Sequence, residues 1–183
     1  MIEYDSEHSL ITLANDLGLS DIMIEAEKLY GDRNTDFTIL GIEISNIVQP
    51  QTILDIETNN VTIQITERCQ NNEGEAIFQA AHEVIHCLHP NHPDITPATY
   101  LEEGLATYFS VYYTQKIGNP YHTKDPDYCK AYNLAEKLLE IDGEIIKKAR
   151  KDESNISKID KNLLLKLIPT LDENFIDDLI SIF

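Results

Sequence analysis

The feature that most constrains this chain is a change in the period of its apolar residues near residue 70. From Asp36 onward the period is two. Phe37 and Ile39, then Ile42 and Ile44, predict a strand broken or bulged near Gly41. Thr52–Ile56 and Val61–Thr66 flank Asn59-Asn60, a pair that tolerates positive φ and reads as a hairpin turn. Val61, Ile63 and Ile65 alternate with Thr62, Gln64 and Thr66, so this strand has one apolar face and is expected near a sheet edge. After Glu73 the period is helical, with helices expected at about 75–88, 98–116, 127–141, 143–151, 158–168 and 172–182. Pro90, Pro93 and Pro97 separate the first two of these, and Gly118-Asn119-Pro120 ends the second. A small mixed sheet followed by a helical half makes the fold class α+β.

Ahead of the sheet, Leu10, Leu13 and Leu17 fall at helical steps until Gly18 interrupts them. Ser20 is placed to cap a second helix from Asp21 to about Tyr30, with Gly31 as its stop. The 183 residues then read as one domain: a helical segment over 1–34, a sheet over 35–68, paired helices over 75–141 and closing helices over 142–183.

Charge narrows the function classes. Lys and Arg number 14 against 32 Asp and Glu, a net charge of −18. Binding a phosphate backbone or an anionic lipid surface requires clustered bases, so neither nucleic acid nor membrane is an expected partner. The first thirty residues hold a single base, Lys28, which argues against a helix-turn-helix DNA reader there. Three cysteines, Cys69, Cys87 and Cys129, fit a reducing compartment. No apolar stretch approaches the ~20 residues of a membrane span. The N-terminus lacks a basic region followed by an apolar run, and the chain is read as cytoplasmic.

The chemistry lies in Ala81-His82-Glu83-Val84-Ile85-His86, an H-E-x-x-H pattern. On a helix, positions i and i+4 share a face, so both imidazoles can reach one ion. Glu83 projects beside them, placed to take a proton from a metal-activated water. The stretch Gly74–Ala81 carries no helix breaker after Gly74, so the helical context is met. Downstream, Glu102-Glu103-Gly104-Leu105-Ala106 opens the second predicted helix. The proline-rich loop is long enough to turn the chain and set the two helices side by side. A carboxylate from that helix completes a His2Glu site with one position open, the ligand type of zinc.

These stretches resemble the gluzincin metallopeptidases, the zincin group of thermolysin and the aminopeptidase N family. HEVIH (His82–His86) matches their zinc helix, and EEGLATYFS (Glu102–Ser110) looks like their E-G-x-A element. The resemblance implies a zincin-like fold with Zn2+ held by His82, His86 and Glu103, since the ligand in that element is the Glu directly before Gly. Glu102 is the competing choice. Glu83 is implied as general base. Tyr132-Asn133-Leu134-Ala135 is similar to a helix whose Tyr stabilises the tetrahedral intermediate, which makes Tyr132 the implied oxyanion donor and Tyr128 the alternative.

The resemblance covers about residues 75–140. No G-x-M-E-N-like segment is present, so an endopeptidase is expected rather than an aminopeptidase. The expected substrate is a peptide or protein, with the acidity favouring a basic or polar one, added as a strand beside Val61–Thr66. The alternative is a latent or inactive zincin-fold binding or regulatory protein with a metal site, covered by the helices after residue 142, whose apolar stripe of Leu163, Leu164, Leu167 and Ile168 reads first as core. A coincidental motif in a metal-free helical protein is the minor reading. His89 and His92 read as an exposed loop, and His8 and His122 have no partner at ligand spacing. Cys87, Tyr108, Tyr112 and Tyr113 are expected to pack.

Overall fold

Three short strands and seven helices build an α+β fold in the computed structural model, which describes residues 15–92 and 95–183. Strands β1 (Thr38–Ser45), β2 (Gln51–Asp55) and β3 (Asn60–Thr66) form one sheet in the order β1-β3-β2. β1 runs parallel to β3, and β2 antiparallel. Thus β3 is the central strand, not an edge. Its alternation is real, because Val61, Ile63 and Ile65 are fully buried. Alternation reports that one face of a strand is covered, and says nothing about its neighbours in the plane of the sheet.

The register of β1 on β3 shifts between Ile39 and Gly41, where Gly41 takes a φ of 145° closed to most side chains. The β2–β3 turn is held by Asp55, whose carboxylate accepts from Glu57 N and from the Thr58 hydroxyl. Asn59 alone takes positive φ there, and Asn60 already belongs to β3. Residues 46–50 carry the chain from β1 past the end of β3 to β2.

Helix α1 (Leu19–Tyr30) begins two residues before the expected Asp21. The Gly18 carbonyl accepts from both Asp21 N and Ile22 N, so Ser20 falls inside the first turn and does not cap. Leu10, Leu13, His8 and Pro93 lie outside the described residues. Helices α2 (Glu73–His86), α3 (Tyr100–Lys116), α4 (Pro126–Ile141), α5 (Ile145–Ala149), α6 (Lys161–Leu167) and α7 (Glu173–Ile180) follow in the expected places. Among the described residues, no helix is long and apolar enough to cross a membrane.

Helix α2 is the spine of the core. Every residue from Gly74 to Ile85 is buried, between the apolar face of β3, helix α1 and helix α3. Leu164 is fully buried, with Leu163, Leu167 and Ile168 packed against the same core. Arg150, after α5, ties the ends of two helices together. Its guanidinium donates to the carbonyls of Tyr30 and Gly31 at the end of α1 and of Leu88 beyond α2, besides Asp32 O and Ser154 O.

Candidate metal centre

Asn72 caps α2 by accepting from Glu75 N, and Gln79 fixes it to the sheet through Thr66 N and the Thr66 hydroxyl. Two turns further on, His82 and Glu83 are only 5% and 2% exposed. One ligand atom each from His82, Glu83 and His86 lie within 4.8 Å of one another. Local geometry explains this: in one helix, i, i+1 and i+4 converge when all three side chains are driven to the same end of a buried face.

Helix α3 brings the second carboxylate. Thr99 caps it, and its first turn holds Glu102 and Glu103, where acids suit the helix dipole. Residues 181–183 fasten this end, with Tyr100 N donating to Ser181 O and Phe183 N to Ala98 O. Glu103 Oε2 lies 3.1 Å from His82 Nε2, and Oε1 lies 3.6 Å from His86 Nε2. Glu103 therefore spans both imidazoles. Glu102 turns to the far side of His86, where Oε1 meets Nδ1 at 3.0 Å while Oε2 accepts from the Ser157 hydroxyl. Glu102 thus orients the imidazole and leaves Nε2 facing Glu103, the usual task of a carboxylate behind a metal-binding histidine.

Glu83 is held differently. Thr52 on β2 donates to its Oε2 at 2.8 Å. Burial raises the Glu83 carboxyl above its ordinary range, and the nearby histidines offset this only in part. Glu103 goes the other way despite its burial, because His86 and His82 hold it low. For His86, burial favours the neutral ring, but Glu103 and Glu102 outweigh it and push the imidazole up to about 10.

Three carboxylates and two imidazoles thus meet in a largely buried site, a donor set that could hold a cation. The donor set fits a divalent metal of borderline softness. His82 and His86 could hold it together with Glu83, whose ligand atom lies within 4.8 Å of theirs, or with Glu103, whose carboxylate spans both rings.

Gly104 sets how closely the next helix approaches. A Cβ there would lie 2.3 Å from Ala131 O on α4, so only glycine permits this contact. The approach brings Tyr128 to the site, its ring 5.6 Å from that of His82 and edge-on. Burial, with the charges of Glu103 and Glu83, keeps the Tyr128 hydroxyl protonated, and it donates to Gln49 Oε1 at 3.3 Å. Tyr132, one turn later, is not brought to the histidines. Its hydroxyl donates to Glu136 and its ring packs on Tyr108. Tyr128 and Tyr132 share a helix face, so sequence spacing could not choose between them.

A cleft of about 710 Å3 opens beside His82, bounded by Phe78 and Gln79 of α2, the Val48–Pro50 segment and residues 121–125. Thr52, Gln49 and Ser157 were invisible as site residues in the sequence, since each arrives through tertiary contact alone. His89 pairs with Ser154, away from the centre, and Cys87 is buried, its thiol pushed up to about 12 by burial. Compared with protein-family models, curated proteins and solved structures, the chain matches none of them.

Proposed function

We propose that this chain is a zinc-dependent peptidase of the gluzincin kind, acting in the cytoplasm on internal bonds of a peptide or protein. The observation that carries the reading is Glu103 spanning the two imidazoles of an H-E-x-x-H helix. His82, His86 and Glu103 would hold the ion. Zinc, when bound, supplies Lewis acidity that polarises the scissile carbonyl and promotes ionisation of the attacking water.

Glu83 takes the proton from that water and hands it to the leaving amine. Its burial suits the role, because a carboxyl raised above its ordinary range is a stronger base for the water proton. Thr52 occupies Oε2 and leaves Oε1 for the water. Tyr128 donates to the developing oxyanion, a contribution of about 3–4 kcal/mol at comparable sites. The substrate lies extended along β2. Both sides of β3 are filled by β1 and β2, whereas β2 is an edge strand and carries Thr52 to Glu83.

The test is hydrolysis of an unstructured protein such as casein, with zinc, by wild type and Glu83→Gln. Wild type should cleave, and the variant should lose at least ~100-fold in kcat while retaining zinc. Equal cleavage by both would remove Glu83 from the chemistry. A latent form is the second reading, favoured by Phe183, whose ring packs 5.0 Å from Tyr128. Phe183→Ala, which keeps the backbone bonds of residues 181–183 to the start of α3, should then increase cleavage.

A further inference from the structure

The cleft beside His82 is lined by two acids, Glu75 and Asp125, and two bases, Arg68 and Lys124, in a chain whose net charge is −18. Its acidic lining residues are already engaged. Glu75 accepts from Arg68 Nε at 2.7 Å, from Gln79 Nε2 at 3.2 Å and from Asn72 Nδ2 at 3.4 Å. Asp125 caps α4 by accepting from Asp127 N. Its basic lining residues are engaged only in part, Arg68 through Nε alone. Among the described residues, no acceptor meets Lys124 Nζ, nor either Nη of Arg68, whose side chain is 60% exposed.

Glu75 fixes the guanidinium by its Nε edge, which leaves the two-Nη end pointing away from that bond. That end matches a carboxylate with two parallel hydrogen bonds. We propose that this cleft is a substrate subsite for an acidic side chain, held by Arg68 and Lys124. The assignment deepens the peptidase reading and rests on it for the word substrate.

Distance supports it. Glu75 precedes His82 by seven residues on one helix, about 10 Å at 1.5 Å per residue. An extended peptide covers that in about three residues. The acidic side chain therefore falls within about three positions of the bond to be cut. The net charge of −18 taken alone favours a basic peptide. Exposed charges are screened beyond about 8 Å at physiological salt, so the groups lining the cleft decide; there Arg68 and Lys124 balance Glu75 and Asp125, and the donors left over are those of Lys124 and the two Nη of Arg68.

The probes are three heptapeptides, acetylated and amidated, identical except for a central Glu, Gln or Lys. Isothermal titration on the full chelator-treated chain reads binding without cleavage. The Glu peptide should bind about tenfold tighter than the Gln peptide, with the Lys peptide weakest. Lys124→Glu and Arg68→Gln should each bring the Glu peptide down to the Gln level. Lys124 is exposed and in a loop, so its variant decides the matter if the Arg68 change disturbs Glu75. Equal Glu and Gln affinities, no binding of any peptide, or an unchanged preference in Lys124→Glu would overturn the proposal. Added zinc then separates the two claims. A Glu preference without cleavage keeps the subsite and removes the peptidase, and cleavage without a Glu preference does the reverse.

Discussion

Substituting Gly104 by Ala should damage this protein more than a single methyl suggests. The added Cβ would sit 2.3 Å from Ala131 O, 2.9 Å from its carbonyl carbon and 3.1 Å from Ala135 Cβ. The first of these is more than about 1 Å inside ordinary contact. The obstacle is backbone, so no rotamer relieves it and α4 must move. Overpacking costs about 1–3 kcal/mol, and a backbone obstacle places this case near the top of that range. Alanine regains about 1 kcal/mol over glycine inside a helix. The net loss is about 2 kcal/mol, or roughly 4–8 °C in Tm for a chain of this size. Gly143 is the control, since a Cβ there meets only Leu139 O at 3.8 Å. Calorimetry on the two variants should show a fall for Gly104→Ala and none for Gly143→Ala. Because α4 carries Tyr128, peptide cleavage should also drop in Gly104→Ala while zinc stays bound. A Gly104→Ala protein melting within about 1 °C of wild type would refute the claim that this glycine sets the α3–α4 distance.

Replacing Glu102 by Ala should free the His86 ring and weaken zinc affinity about 10–100-fold, with Ser157→Ala giving a smaller loss, both read by competition with a chelator dye. Thr52→Val should lower kcat about tenfold with KM and bound zinc unchanged, and Thr52→Ser should restore it. Arg150→Ala should cost about 3 kcal/mol in urea unfolding, because it strips donors from buried carbonyls at the ends of α1 and α2. In the chelator-treated chain, His86 sits at about 10, above its ordinary value, so its stabilising share is complete below about pH 6.5 and is lost as pH rises toward 10. Glu103 is held low, so its share is present above the ordinary carboxylate range and lost on acidification. Tm should therefore decline from pH 6.5 to 10, and His86→Ala should flatten that slope.

What could be read from the sequence was local. The switch from period two to helical period fixed the α+β class, and the i, i+4 spacing placed His82 and His86 on one face. The glycine after Glu103 was visible as a motif, but its physical reason, the nearness of Ala131 O, was not. What stayed hidden depends on contacts between distant residues. The alternation of β3 could not reveal that β1 and β2 lie on either side of it. Nothing in the spacing of Tyr128 and Tyr132 says which turn of α4 faces His82. The motif resemblance favoured Glu103 over Glu102, but only the crossing of α2 and α3 shows one on each side of His86.

The most direct test is the metal content of untagged protein by mass spectrometry, wild type beside Glu103→Ala and Glu102→Ala, after zinc loading and dialysis. About one zinc per chain in wild type, lost in Glu103→Ala and only weakened in Glu102→Ala, is the result predicted. No zinc in wild type, or full retention in Glu103→Ala, would contradict the assignment of His82, His86 and Glu103 as one metal centre.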